Sequence, residues 1–314
     1  MTLNTAQIDA AVAILRAGGL VGLPTETVYG LAADASNEAA IARIYAAKGR
    51  PADHPLIVHV AGVEGLAQWA ENVPPAALKL AEAFWPGPLT LILQKQPWVS
   101  GLLTAGQPTV GLRVPAHPVA LAVLKAFGGG LAAPSANQFT HVSPTTSAAV
   151  SEELAGRVDL ILEGGACEVG LESTILDLSG TTPTILRPGM LSQADIEAVL
   201  GVPVLVRAAS SVRVPGQHVV HYAPQTPCRL VGEAELASLS GASALITHRD
   251  AVVVPAGVAV FALSNNPAHY AHELYRVLRE LDHQRFQEIV IERVPDSAEW
   301  DAIRDRLNKA AGRT

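Results

Sequence analysis

Apolar positions along the chain recur with two periods, and the switches between them mark alternating helices and strands. Ile8, Ala11, Val12 and Leu15 share one face of a helix that Thr5 can cap and Gly18-Gly19 can stop. Leu20 to Leu23 reads as a short apolar strand closed by Pro24. Asn37 can cap a second helix that runs through Ile41 and Ile44 to Gly49. Leu56 to Val60, Leu89 to Leu93 and Val110 to Val114 are unbroken apolar runs of strand length, the last ended by Pro115. Helices are predicted over Pro118 to Phe127, Thr145 to Ala155 and Ser192 to Leu200, with strands near Leu131, Leu160, Ile175 and Ile185. The alternation predicts an α/β or α+β core around a mixed sheet.

The rhythm stops after residue 207. From Ala208-Ala209-Ser210-Ser211 through Pro215-Gly216 to Pro224 there is neither a helical period nor a clear strand. A stretch of that length exceeds an ordinary connection and reads as a linker or a functional loop. The pattern then restarts with a strand near Leu230, a helix from Glu233 and strands at Ala244 to Thr247 and Val258 to Leu263. Helices over Pro267 to Leu281 and Ala298 to Ala310 flank a strand at Glu288 to Glu292. The expected organisation is a first domain over 1–207, a linker over 208–224 and a smaller α/β domain over 225–314.

Charge narrows the function classes. Of 314 residues only 16% are charged, and the net charge is −7. The first 207 residues carry 11 basic and 17 acidic groups, the remainder 11 and 12. Neither part has the basic excess of a nucleic-acid arm. Cys167 and Cys228 have no metal-site spacing and fit buried thiols of a reducing compartment. The first residues lack the basic leader and cleavage site of a signal peptide, and no apolar run reaches membrane-spanning length. A cytoplasmic protein without a membrane partner is expected.

The familiar phosphate loop, the dinucleotide fingerprint, zinc motifs and the nucleophile elbow are all missing. Four segments instead place polar groups at the ends of apolar strands, where α/β sheets bind ligands. The first is Pro24-Thr25-Glu26-Thr27-Val28-Tyr29-Gly30, which also fits a hydrogen-bonded turn. The second is Lys48-Gly49-Arg50-Pro51-Ala52-Asp53-His54-Pro55, leading into the strand with His59. Its cations also suit the C-terminal end of a helix. In the third, Ala133-Pro134-Ser135-Ala136-Asn137, Ser and Asn two apart in extended chain would face the same way. The fourth combines Glu172-Ser173-Thr174-Ile175 with Leu186-Arg187-Pro188-Gly189.

Taken in order, PTETVYGL, KGRPADHPL, FWPGPLTLIL, VGLRVP, APSAN, LESTI and LRPG resemble the YrdC/Sua5 family of threonylcarbamoyl-AMP synthases. The K-x-R and S-x-N pairs, here Lys48, Arg50, Ser135 and Asn137, are that family's hallmark. The resemblance covers about residues 5–200. The linker, with His221-Tyr222-Ala223-Pro224, and the added domain look like the longer Sua5 form. It implies a YrdC-like open twisted mixed sheet with helices, plus a Rossmann-like C-terminal domain.

It also implies a reaction: L-threonine, bicarbonate and ATP, with Mg²⁺ assisting, give threonylcarbamoyl-AMP and pyrophosphate. No metal ligand is implied among the side chains. The product would pass to the machinery that makes t6A at position 37 of tRNA, with tRNA itself a further candidate partner. The resemblance places Lys48 and Arg50 as the catalytic cations beside the triphosphate. His54, Thr109, Ser135, Asn137, Ser143, Arg187 and Tyr222 would lie along ATP. Thr27, His59, Arg113, Ala133 and Ser173 would hold threonine, Arg113 taking the carboxylate. No residue stands out as the general base for the amine; His59 has the chemistry and equally fits a hydrogen-bonded wall.

The linker is expected to lie across the pocket as a lid that excludes water. Family linkers commonly carry basic residues before the His-Tyr pair, whereas this one has Gln217-His218-Val219-Val220. Tyr222 is therefore the expected contact. Two other readings compete. One is a tRNA- or double-stranded-RNA-binding module without adenylate-forming activity. The other is a carbamoyl-adenylate enzyme of hydrogenase maturation, against which stand the missing C-x-x-C pairs.

Overall fold

The computed structural model describes residues 4–206, 212–216, 220–239, 241–284 and 286–312. Ala208 to Ser211 and Gln217 to Val219, on which part of the linker expectation rests, lie outside these residues. The first sheet has ten strands: β1 (Val21–Leu23), β2 (Gly30–Asp34), β3 (Ile57–His59), β4 (Leu89–Gln94), β5 (Thr109–Arg113), β6 (Leu131–Ala132), β7 (Leu160–Ile161), β8 (Thr174–Asp177), β9 (Thr184–Arg187) and β10 (Leu205–Val206). Their order is β10-β9-β8-β4-β5-β3-β6-β2-β1-β7. Pairing is mixed: β3 with β5 and β4 with β8 are parallel, while β4 with β5 and β8 with β9 are antiparallel.

The central strands are buried on both sides, which is why they read as unbroken apolar runs. On one side Val58, Leu91 and Leu112 pack with Ile41 and Ile44 of the helix Glu38–Lys48 and with Leu80 of the helix Pro75–Phe84. On the other side Ile57, Ile92, Ile175 and Leu186 form a smaller apolar patch covered by Val214 of the linker. The linker thus does for that face what a helix does for the opposite one.

Local chemistry departs from expectation in places. Asn4, not Thr5, caps the first helix, its side chain accepting from the Gln7 N–H. Strand β2 escapes the pattern because Gly30-Leu31-Ala32-Ala33 follows the polar turn with no period of its own. The helix Pro75–Phe84 has no capping side chain; the proline at its start and the shared face of Ala77, Leu80 and Ala81 are its signals. The segment Glu233–Ser238 is a 3₁₀ helix rather than an α-helix.

The second sheet is all parallel: β11 (Cys228–Val231), β12 (Ser243–Thr247), β13 (Ala259–Ala262) and β14 (Glu288–Glu292), in the order β11-β14-β12-β13. The helices Pro267–Gln284 and Asp301–Ala310 cover it with Leu274, Leu278, Ile303 and Leu307. That core continues into Val28, Val142 and Leu171 of the first unit, with Tyr222 of the linker between them. The two sheets therefore share an apolar seam. Among the described residues no helix is long and apolar enough to cross a membrane. Cys167 and Cys228 are buried and unbridged.

Candidate active site

Register carries the first site residues together. In the parallel β3–β5 pair His59 lies directly beside Arg113, and Ile57 beside Gly111. Ile57 and His59 are two apart in a strand, so both face the same side of the sheet. A cavity partly open to solvent lies there, lined by Ile57, His59 and Arg113 among others. It sits over the face of β3 and the end of β5 rather than only beyond the strand ends.

Loops from distant parts of the chain wall it. Thr27 and Val28 come from the turn after β1, where the Thr25 and Thr27 hydroxyls lie 2.9 Å apart and Thr25 donates to the Val28 carbonyl. That turn is both a hydrogen-bonded turn and a pocket wall. Ala133, Ser135 and Asn137 line the cavity from the loop after β6, and Glu172 and Ser173 from the approach to β8. The loop bends at residues 136–138, so the extended-chain argument for Ser135 and Asn137 does not hold. Lys48 brings them together instead. It ends its helix, and its ammonium donates to the carbonyls of Ser135 at 2.5 Å and Asn137 at 2.6 Å.

Four cations from three segments surround this space: Lys48 and Arg50, Arg113, and Arg187. Arg50 donates to the Pro55 carbonyl at 2.9 Å, and its buried Nε has no hydrogen-bond partner among the described residues. Arg187 donates to the Ser173 carbonyl at 2.9 Å and to the Pro215 carbonyl of the linker at 3.3 Å. Burial, and then Arg50, hold the Lys48 ammonium well below its ordinary pKa. Burial brings the Arg50 guanidinium down to about 10, with Arg187 adding to the effect. Crowded, desolvated cations of this kind gain when an anion arrives. Gly189 allows the end of β9 to lie on this wall: a Cβ there would come within 2.3 Å of the Thr174 nitrogen.

The opposite end of the cavity is differently balanced. Arg113 is paired with Glu26 at 2.6 Å, and Glu26 also accepts from the Ala116 N–H at 3.0 Å. Arg113 Nε donates to the Gly87 carbonyl, while Nη1 has no protein partner among the described residues. Burial, reinforced by Arg113, lowers the His59 pKa to about 3, and its Nδ1 has no hydrogen-bond partner among the described residues. His59 is therefore a neutral imidazole, better suited to accept or donate a hydrogen bond than to collect a proton. Between pH 6.5 and 3 the unfolded chain holds one more proton at this ring than the folded chain. Stability must then fall as pH falls through that window. His59→Gln should flatten the fall in urea midpoint between pH 7 and pH 4. Parallel curves for the two proteins would contradict this environment.

Three expected residues do not line the cavity. His54 stands behind Phe139, which does, with ring centroids 5.6 Å apart. Thr109 is buried at the start of β5, opposite Gln94. Ser143 acts at one remove: its hydroxyl donates to the Glu172 carboxylate at 2.6 Å. Tyr222 lines the cavity, with Pro215, Gly216 and His221 beside it. Its hydroxyl has no hydrogen-bond partner among the described residues, and burial pushes its pKa up to about 12. Gly216, at φ 84°, lies against that hydroxyl: a Cβ would come within 2.2 Å of it.

Glu26 and Glu172 were visible inside the motifs, yet nothing local signals their ion pairs. Glu172 accepts from Arg306 at 2.8 Å and from the Tyr275 hydroxyl at 3.0 Å, both in the second unit. Glu172 in the cavity wall and Glu26 behind Arg113 are thus both committed to arginines. Among the described residues no group of three His, Cys, Asp or Glu side chains could hold a metal ion.

A family model for Sua5, YciO and YrdC, described as telomere recombination, matches residues 13–189. A model described as the threonylcarbamoyl-AMP synthase C-terminal domain matches 191–312. The threonylcarbamoyl-AMP synthase of Pyrococcus abyssi is 38% identical, over 98% of this chain and 94% of that protein. That of Bacillus subtilis is 38% identical, over 99% and 95%. The crystal structure of P. abyssi Sua5 complexed with L-threonine is 36% identical and matches with a TM-score of 0.91, covering 99% of this chain and 96% of that one. With both domain models matched in order and relatives aligned almost end to end, the chain belongs to the threonylcarbamoyl-AMP synthase family in its two-domain Sua5 form.

Proposed function

We propose that this enzyme is an L-threonylcarbamoyladenylate synthase, a nucleotidyltransferase that uses ATP. The observation that carries the reading is the convergence of Lys48, Arg50, Arg113 and Arg187 on one cavity of a net-acidic chain. A nucleic-acid module would present its cations on a surface; these are buried.

In this reading Arg113 receives the threonine carboxylate on its unengaged Nη1 edge, beside the neutral ring of His59. Thr27, Ser173 and the backbone at Ala133 complete the amino-acid end. The amine attacks the carbon of carbon dioxide, opening one C=O bond and losing a proton to solvent, or the carbon of bicarbonate, where the C–OH bond breaks and the hydroxyl leaves with the amine proton as water; either way a C–N bond forms. A carbamate oxygen then attacks the α-phosphorus of ATP as the bond to pyrophosphate breaks. Lys48, with one N–H still to donate, Arg50 through Nε, and Arg187 neutralise the phosphates. Ser135, Asn137 and Tyr222 lie along the nucleotide, with His54, Thr109 and Ser143 supporting from behind. The protein's work is positioning and charge neutralisation. Mg²⁺ would arrive with ATP, held by phosphate oxygens and water. The linker wall at Pro215, Gly216, His221 and Tyr222 would keep water from the mixed anhydride. The product would serve tRNA t6A modification in the cytoplasm.

The test uses the purified full chain with ATP, Mg²⁺, threonine and bicarbonate. Pyrophosphate release should require both threonine and bicarbonate. Release from ATP alone, or salt-sensitive tRNA binding with no turnover, would overturn the reading.

A further inference from the structure

The second unit reaches into the cavity wall. Arg306 projects from the helix Asp301–Ala310 and is fully buried. Its Nε donates to the Glu172 carboxylate at 2.8 Å, and its Nη2 donates to the Glu172 carbonyl at 3.4 Å. Nη1 donates to the Pro188 carbonyl at 3.0 Å, directly after Arg187, and to Asp305 at 2.7 Å. The guanidinium carbon lies 5.1 Å from the centre of the Tyr222 ring. One side chain therefore ties together three segments that wall the cavity: Glu172-Ser173, the end of β9 and the linker.

Glu172 is a hazard where it stands. It lines a cavity read as binding a polyanion, next to Ser173 and within reach of Arg187. An unpaired carboxylate there would repel phosphate and compete for Arg187. Instead its oxygens are engaged by Arg306, by the Tyr275 hydroxyl and by the Ser143 hydroxyl. Two of those three groups belong to the second unit. Asp305, the acid next to Arg306, is answered by Lys309 at 2.8 Å as well as by Arg306. The charge of Glu172 is thus answered by residues more than a hundred positions from it.

We propose that Arg306 is a positioning residue for the nucleotide: it keeps Glu172 neutralised and held against the second unit, so that the cavity presents its cations to ATP. The second unit is then part of the active site and not an appendage. The inference rests on the synthase reading above.

The test compares the full-length wild type with Arg306→Met, Arg306→Lys and the double variant Arg306→Met/Glu172→Gln. ATP binding is measured by calorimetry, and KM and kcat by pyrophosphate release. Arg306→Met should weaken ATP binding roughly 10- to 100-fold, as a newly unpaired carboxylate near phosphate would. The threonine KM should change by less than about 3-fold. Removing the orphaned charge in the double variant should restore ATP binding to within about 5-fold of wild type. Arg306→Lys keeps a positive charge and should lie between wild type and Arg306→Met, which keeps the test open if Arg306→Met does not fold. Folded Arg306→Met or Arg306→Lys with unchanged ATP affinity, or a double variant no better than Arg306→Met, would overturn the proposal. A wild type that binds ATP but releases no pyrophosphate would instead overturn the synthase reading.

Discussion

Arg113→Ala is expected to raise the threonine KM by roughly 30- to 150-fold while moving the ATP KM less than about 5-fold. The magnitude follows from losing charge-assisted hydrogen bonds worth about 2–3 kcal/mol to a carboxylate. The structure adds a complication. Arg113 and Glu26 form a buried pair at 2.6 Å, each side chain only 5% exposed. Removing the arginine strands the carboxylate, at a cost of about 3–5 kcal/mol in stability. The variant will therefore melt earlier as well as bind threonine worse. Arg113→Ala/Glu26→Gln separates the two effects. It should recover most of the lost stability and none of the lost threonine affinity. Equal rises in both KM values, or threonine affinity restored with stability, would remove Arg113 from the carboxylate site.

Lys48→Ala should lower turnover by about 10²–10³, as loss of a preorganised charge at a reacting phosphate commonly does. Lys48 has two tasks here. Two of its three N–H groups hold the Ser135 and Asn137 carbonyls, and one is left for ligand. Alanine removes the charge and also releases a wall of the nucleotide site. Asn137 would then lose a support it needs, because its own amide is spent on the Gln138 and His141 carbonyls. Lys48→Ala should therefore weaken ATP binding in direct titration as well as turnover, with threonine binding unchanged. Near-normal turnover would place the catalytic charge elsewhere, on Arg50 or Arg187.

Local physical chemistry made several elements readable in advance. The helix Pro118–Phe127 begins at a proline and ends at Gly128 in the left-handed region, φ 75°. Ser192 caps its helix in a reciprocal box with Asp195. Gly49, at φ 62°, ends the helix that delivers Lys48. Alanine-rich β2 has no period to expose it, and the helix at Pro75, although its apolar residues share one face, has no capping side chain to mark its start. Within the site, neither Thr109 nor Ser143 lines the cavity directly. Ser143 matters through Glu172, a relation invisible until the carboxylate is placed.

By itself the sequence determined the α/β alternation, the irregular stretch between two patterned regions, and the ordered set of polar motifs at strand ends. These are short-range properties: periods, caps and turns depend on neighbours a few residues apart. Only the tertiary structure decided that the cavity lies on the face of β3 and β5 and that Lys48 binds two backbone carbonyls. It alone showed Glu26 answering Arg113, and Arg306 answering Glu172 from 134 residues away. Ion pairing between buried groups falls off with distance in space, not along the chain, so no spacing in the sequence could encode it.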